Sequence, residues 1–280
     1  MSAAEGSSEA APVMAAETVA PALEVRNAQK AFGAVQAVAG CSLTVPAGSV
    51  VGLVGPNGSG KSTFIEGVSG LQRFDAGEVL LHGRSIDHLE PYRRARLGLR
   101  RSFQVSRLWL KMGVAENLLA AAPLQGRDTL WRTYFARRSI REAEDRAKES
   151  ARSILVKFGL WDLRNQPAGS LSGGQSRLLE FARIMISEGS VALLDEPLAG
   201  VNPVMAENVA GGIRELSSAN ISILLVEHDL GFIGDMCEKV YAMDRGRIVV
   251  SGTMDEVANT EFFARAYIGG AIGGEAPDER

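Results

Sequence analysis

The stretch GPNGSGKST, Gly55 to Thr63, constrains this chain more than any other feature. It follows a short apolar run, Val50 to Val54, and opens a helical pattern. The spacing fits GxxxxGK(S/T). In that pattern glycines let backbone N–H groups converge on phosphate oxygens, and the following helix adds its positive end. Gly55, Pro56, Asn57, Gly58, Ser59 and Gly60 form the cradle. Lys61 would reach the terminal phosphates of a bound nucleotide, Ser62 would ligate Mg²⁺, and Thr63 closes the motif.

The same strand–turn–helix logic recurs along the chain. Val191 to Leu194 and Ile221 to Val226 are short buried strands, each followed at once by polar residues. Such alternation with amphipathic helices points to an α/β domain with a largely parallel sheet, whose ligands lie at the carboxyl ends of the strands. Leu23 to Arg26, Ser42 to Val45, Val79 to Leu81 and a hairpin through Asp244, Arg245 and Gly246 read as antiparallel. The middle third reads as helical. Ser139 and Glu142 have capping-box spacing at a helix head, and the apolar stripe runs Ala143, Ala147, Ala151, Ile154, Leu155 and Phe158 before Gly159. Another helix follows Asn202 and Pro203, with Val209, Ile213 and Leu216 inward. No repeat of 20 to 50 residues is visible, which argues against solenoids and propellers.

A formal net charge of −3 provides no basic field to draw the chain to nucleic acid or anionic lipid. The local cluster Arg93, Arg94, Arg96, Arg100 and Arg101 reads as a solvated helix and turn. Cys41 and Cys237 read as core thiols, not as a disulfide framework or metal site. Residues 1–21 carry acids but no base and no unbroken apolar run, so they read as a disordered extension and not a signal peptide. No stretch reaches the roughly 18 apolar residues of a spanning helix, so any membrane role comes through a partner.

Two further motifs carry chemistry. The apolar run from Val191 ends in Asp195 and Glu196, placed to hold a Mg²⁺ shell and to polarise an attacking water. Paired acids also occur in surface turns, but beside a phosphate cradle the catalytic reading prevails. LSGGQ, Leu171 to Gln175, then puts a serine and two glycines at a helix start, with Leu178, Phe181, Ala182 and Met185 on one face. That is a second anion cradle, and one triphosphate rarely needs two.

With LSGGQ the chain resembles the ABC ATPase family, from Leu23 to Gly270. The resemblance implies a P-loop NTPase core with a mostly parallel sheet, an N-terminal antiparallel β subdomain and an inserted helical subdomain at about residues 105–177. Residues 271–280 would be a flexible tail. It implies that Leu171, Ser172, Gly173, Gly174 and Gln175 contact the γ-phosphate held by an opposite subunit, identical or a sibling. It further implies that Phe32 stacks on adenine, Gln104 touches Mg²⁺ and water, and His228 is the switch histidine. His82 and His88 have no such setting and read as surface residues. Asn202 stands where many members carry aspartate. The flanks RRSFQ, DEPLAGVNP, VEHDL and AYIGG look closest to the branch serving uptake of branched-chain and other hydrophobic amino acids. Lipopolysaccharide-export ATPases share much of this. The resemblance implies ATP and Mg²⁺ as ligands, two membrane permeases as partners, a solute-binding protein beyond them, and a peripheral place on the cytoplasmic side of the inner membrane. Leu108, Trp109 and Leu110 would line the permease cleft, or Trp109 is ordinary packing within the subdomain. A soluble member acting on ribosomes or DNA, and a degenerate partner that binds without turnover, are the rival readings.

Overall fold

A computed structural model describes residues 20–102, 108–123 and 137–268. The extension expected over residues 1–21 lies almost wholly outside them, as does the tail. Gln104 and the subdomain boundary expected near residue 105 also lie outside the described residues.

The chain enters through strands β1 (Leu23–Phe32), β2 (Val35–Val45) and β3 (Val50–Val54), then helix α1 (Lys61–Ser69). Next come β4 (Ala76–Leu81), β5 (Arg84–Ser85), α2 (Pro91–Arg96), β6 (Leu99–Arg101), α3 (Val114–Leu119), α4 (Arg137–Lys157) and α5 (Gly173–Ile186). The remainder is β7 (Val191–Asp195), α6 (Pro203–Ser218), β8 (Ser222–Val226), α7 (Leu230–Met236), β9 (Lys239–Asp244) and β10 (Arg247–Gly252), with short helical turns beyond. One sheet has the order β10-β9-β3-β8-β7-β6, and all its pairs are parallel except β10 with β9. The other, β2-β1-β4-β5, is antiparallel.

Every residue of β3, β7 and β8 is buried, as a parallel strand covered on both faces requires. Side chains alternate between two cores. Leu53, Leu193, Leu224 and Val226 face α1 and the antiparallel sheet, packing with Phe64, Ile65 and Val25. Val54, Leu194, Ile223 and Leu225 face the helical layer, packing with Leu155, Phe181 and Ile213. Each such side chain contributes about 1.5–3 kcal/mol by leaving water.

Several local expectations need correction. Strands β1 and β2 run well beyond Arg26 and start well before Ser42, because bulges near Val25 and Ala28 break the alternation that marks a strand. Ser139 lies inside α4 and not at its head; arginines favour helix, and the helix is already running at Arg137. Its other end behaves as expected: Gly159 takes φ 66°, and Leu160 N–H donates to Leu155 O at 2.7 Å. The hairpin turn of Arg245 (φ 44°) and Gly246 (φ 79°) is also present.

The arginine cluster is only partly solvated. Arg93 and Arg96 are exposed, but Arg94 is 3% exposed. Its guanidinium donates to Gly67 O (3.0 Å) and Val68 O (2.7 Å) at the end of α1, and to Leu89 O and Asp87 O. Orphan carbonyls at a helix end need donors, and the planar fork supplies several at once. Arg100 donates to Ser187 O at 2.7 Å, and Arg101 pairs with Asp195.

Candidate functional site

The candidate phosphate loop, Asp195, Glu196 and His228 lie at or just after the ends of β3, β7 and β8. Residues 55–60 bridge β3 and α1, and Gly60 takes φ 107° as N-cap of α1. A Cβ on Gly60 would run into Ala37 O, so only glycine fits. No side chain caps α1 and its first turn holds no acid, which leaves its N–H groups for an external anion. Ser59 Oγ is buried without a hydrogen-bond partner, which fits a site whose partner is a phosphate. Lys61 Nζ folds back onto Gly55 O (2.6 Å) and Pro56 O (3.1 Å). Burial pulls its pKa below the usual lysine value, while Glu196 and Asp195 act in the opposite sense. The lysine and both acids thus share one electrostatic environment. The hairpin tip holds this loop from outside, with Gly246 N–H donating to Ser59 O at 2.8 Å.

Asp195 is the last residue of β7 and lies 3.0 Å from Arg101 Nη2. Sequence reasoning used Arg101 as a branch marker and as part of a solvated arginine cluster, and missed this pair, whose partners are 94 positions apart. Glu196 takes φ 48°, and its N–H donates to Val226 O at 2.9 Å. His228 follows β8 with its side chain 71% exposed. Between β8 and His228 stands a residue that sequence reasoning gave no role. Glu227 is fully buried, accepting from Leu198 N (2.8 Å) and His228 N (3.1 Å). Burial pushes its carboxyl up, and the two N–H bonds partly offset that. The available signal was an acid directly after four apolar strand residues, Ile223 to Val226.

LSGGQ lies elsewhere. Ser172 caps α5, taking Gln175 N–H at 3.3 Å while Gln175 Oε1 takes Ser172 N–H at 2.9 Å. Leu171 is half-buried, Ser172 and Gly173 are exposed, and Gly174 is buried against Met205. Helix α5 packs on α3, α4 and α6, whereas α1 packs on β2, β6 and β7. Asn202 caps α6 by accepting Met205 N–H at 2.9 Å, a role aspartate fills equally.

Phe32 ends β1 with 47% of its surface exposed and Lys30 Nζ 5.5 Å from its ring centre. A cleft of about 510 Å³ opens between α2, β6 and α5, lined by Leu71, Tyr92, Arg101, Trp109 and Arg183 among others. Arg183 stacks 4.5 Å from the Trp109 ring. Leu108 is buried instead, and Leu110 is exposed. His82 and His88 are exposed, as expected, with His82 Nε2 2.8 Å from Ser190 Oγ.

The ABC transporter family profile matches residues 38–199, from β2 through the acids to the turn after them. The chain belongs to the ABC transporter family. A probable branched-chain amino acid transport ATP-binding protein LivG of Archaeoglobus fulgidus is 35% identical over 88% of this ABC ATPase and 95% of the relative. LivG of Escherichia coli, a high-affinity branched-chain amino acid transport ATP-binding protein, is 34% identical over 90% and 99%. The lipopolysaccharide export ATP-binding protein LptB of the same organism is 34% identical over 88% and 97%. Among solved structures, the ADP conformation of MJ1267, an ATP-binding cassette of an ABC transporter, superposes with TM-score 0.76. It is 31% identical over 89% of this chain and 99% of that one. The ABC ATPase described here is therefore an ATP-binding, ATP-hydrolysing transporter subunit on a P-loop NTPase fold. No helix among its described residues is long and apolar enough to cross a membrane.

Proposed function

We propose that this chain drives an importer of branched-chain or other hydrophobic amino acids or amides, paired head to tail with an identical or sibling ATPase. The observation that carries the pairing is the exposed, self-capped turn of Ser172 and Gly173. The phosphate loop of the same chain has its own helix end and does not need it. In the pair, Ser172 of one copy meets the γ-phosphate held by Lys61 of the other, an arrangement that closes with two-fold symmetry. Phe32 stacks on the adenine, Glu196 orients the attacking water, and His228 holds the γ-phosphate. Mg²⁺ shared with phosphate oxygens suits the donors here: the Ser62 hydroxyl, Asp195 and, from the sequence, Gln104. Among the described residues no group of three or more His, Cys, Asp or Glu forms an all-protein cage, which agrees with a metal held mainly through substrate. When bound it supplies Lewis-acid charge neutralisation.

Two permeases dock in the cleft at Trp109, placing the chain peripherally on the cytoplasmic side of the inner membrane. The solute reaches them through a binding protein. Amino-acid import rests on the names of the LivG relatives and on Arg101, Phe103 and Gln104. The match to LptB supports a second reading, lipid or lipopolysaccharide export. A net charge of −3 disfavours action on ribosomes or DNA.

The test of pairing is the solution mass of Glu196→Gln by light scattering, with and without ATP. An ATP-dependent dimer supports a homodimer; a nucleotide-bound monomer means that a sibling ATPase or the permeases must supply the missing half. In the permease assembly, stimulation by a leucine-loaded binding protein supports import, and stimulation by lipopolysaccharide supports the second reading.

A further inference from the structure

The end of β8 carries an arrangement that nucleotide binding does not require. After Val226 the chain leaves the sheet, and the next side chain would ordinarily turn to solvent. Glu227 instead is wholly buried. A carboxylate persists in such a place only when its oxygens are paired. Here each oxygen takes a backbone N–H from a different loop. Oε1 accepts from Leu198, two residues beyond Glu196, and Oε2 accepts from His228, whose ring Nδ1 is 3.4 Å away.

We propose that Glu227 is a positioning residue for hydrolysis, a two-acceptor clamp that holds the Glu196 turn and His228 in one register. This rests on the roles given above to Glu196 and His228. The need for a clamp is visible in the backbone. Glu196 sits at φ 48°, a left-handed conformation that a residue with a Cβ holds only where its surroundings impose it. Its own N–H is tied to Val226 O, and Ala199 N–H returns to Glu196 O at 3.0 Å. Glu227 adds the third tie, at Leu198. These two external ties come from Val226, the last residue of β8, and Glu227, the residue after it, which also leads directly into His228. Moving either loop strains the other, so the water-orienting and phosphate-holding groups share one anchor.

The chemistry of the clamp is specific. Glutamine has nearly the same shape but only one acceptor oxygen, so its NH₂ would oppose one of the two N–H donors. The experiment uses the full-length chain, its Glu227→Gln variant, and Glu196→Gln as control. Amide hydrogen exchange is followed by mass spectrometry over peptides covering 196–201, 227–229 and the phosphate loop. ATP turnover per nucleotide-binding site is measured with KM, at protein concentrations where two chains meet.

The proposal expects protected Leu198 and His228 amides in the parent, and exchange about tenfold faster there in Glu227→Gln, with the phosphate loop unchanged. Turnover per site falls about tenfold or more, while KM for ATP stays within about twofold. Parent-like exchange and turnover in Glu227→Gln overturn the proposal, as does a rise in KM that accounts for the loss. Unprotected Leu198 and His228 amides in the parent overturn it even if the variant does not fold. If Glu196→Gln turns over normally, the failure lies in the role of Glu196 and not in the clamp.

Discussion

Two helices of this chain begin at glycine-rich turns, and they treat their free N–H groups in opposite ways. At α1 the N-cap is Gly60, with no capping side chain and no acid in the helix's own first turn. At α5 the N-cap is Ser172, already bonded to its own Gln175 N–H, with Gln175 bonded in return. The first turn is unfinished without an anion, whereas the second is a closed motif that also presents a hydroxyl outward. A capped helix end is self-sufficient, so an extra ligand there must come from outside this chain. On the pairing proposed above, the difference lets one polypeptide carry two anion cradles without directing both at the same phosphate.

Three substitutions bear on that comparison most strongly. Lys61→Ala removes the ammonium and is expected to weaken ATP binding about 100-fold, near 2.7 kcal/mol, in calorimetry. Ser172→Ala in the isolated chain should leave ATP affinity within about twofold. Equal losses at both positions would show that the two cradles serve one site in one chain, and the comparison would collapse. Glu196→Gln should lower turnover about 100-fold or more while nucleotide still binds, as a phosphate-release assay beside calorimetry would show.

The next effects are on stability. Arg94→Ala strips the donors from the far end of α1 and is expected to cost about 3 kcal/mol in denaturant unfolding. Arg94→Lys should recover only part, because an ammonium lacks the fork. Ser172→Ala should cost about 1 kcal/mol through the lost cap. A neutral result there would mean that Gln175 alone closes the turn. The smallest effect concerns Asn202→Asp, which keeps an N-cap oxygen and should stay within about 0.5 kcal/mol.

How much of this was legible depends on where each partner sits in the sequence. The phosphate cradle, the acids after Val191 and LSGGQ are local patterns whose chemistry is complete within a few residues. The buried strands were legible because unbroken apolar runs leave them few alternatives. Arg94 was misread because the carbonyls that need it belong to α1, more than twenty positions away. In a run of arginines nothing local distinguishes the inward one. Glu227 was passed over for a similar reason, since one of its donors, Leu198, lies 29 residues upstream. Ser139 shows the reverse failure, a local spacing overruled by a helix that had already started.

Arg101 serves two places at once: its guanidinium pairs with the carboxylate of Asp195, and the residue lines the cleft that also holds Trp109. On the docking proposed above, one side chain answers to two masters. Any change at this position that suits a new membrane partner also disturbs the acid of the hydrolytic centre. Adaptation to different permeases must then be written in Leu71, Tyr92 and Trp109, which line the same cleft and are exposed. On that docking, Arg101 is less free to vary than those three neighbours.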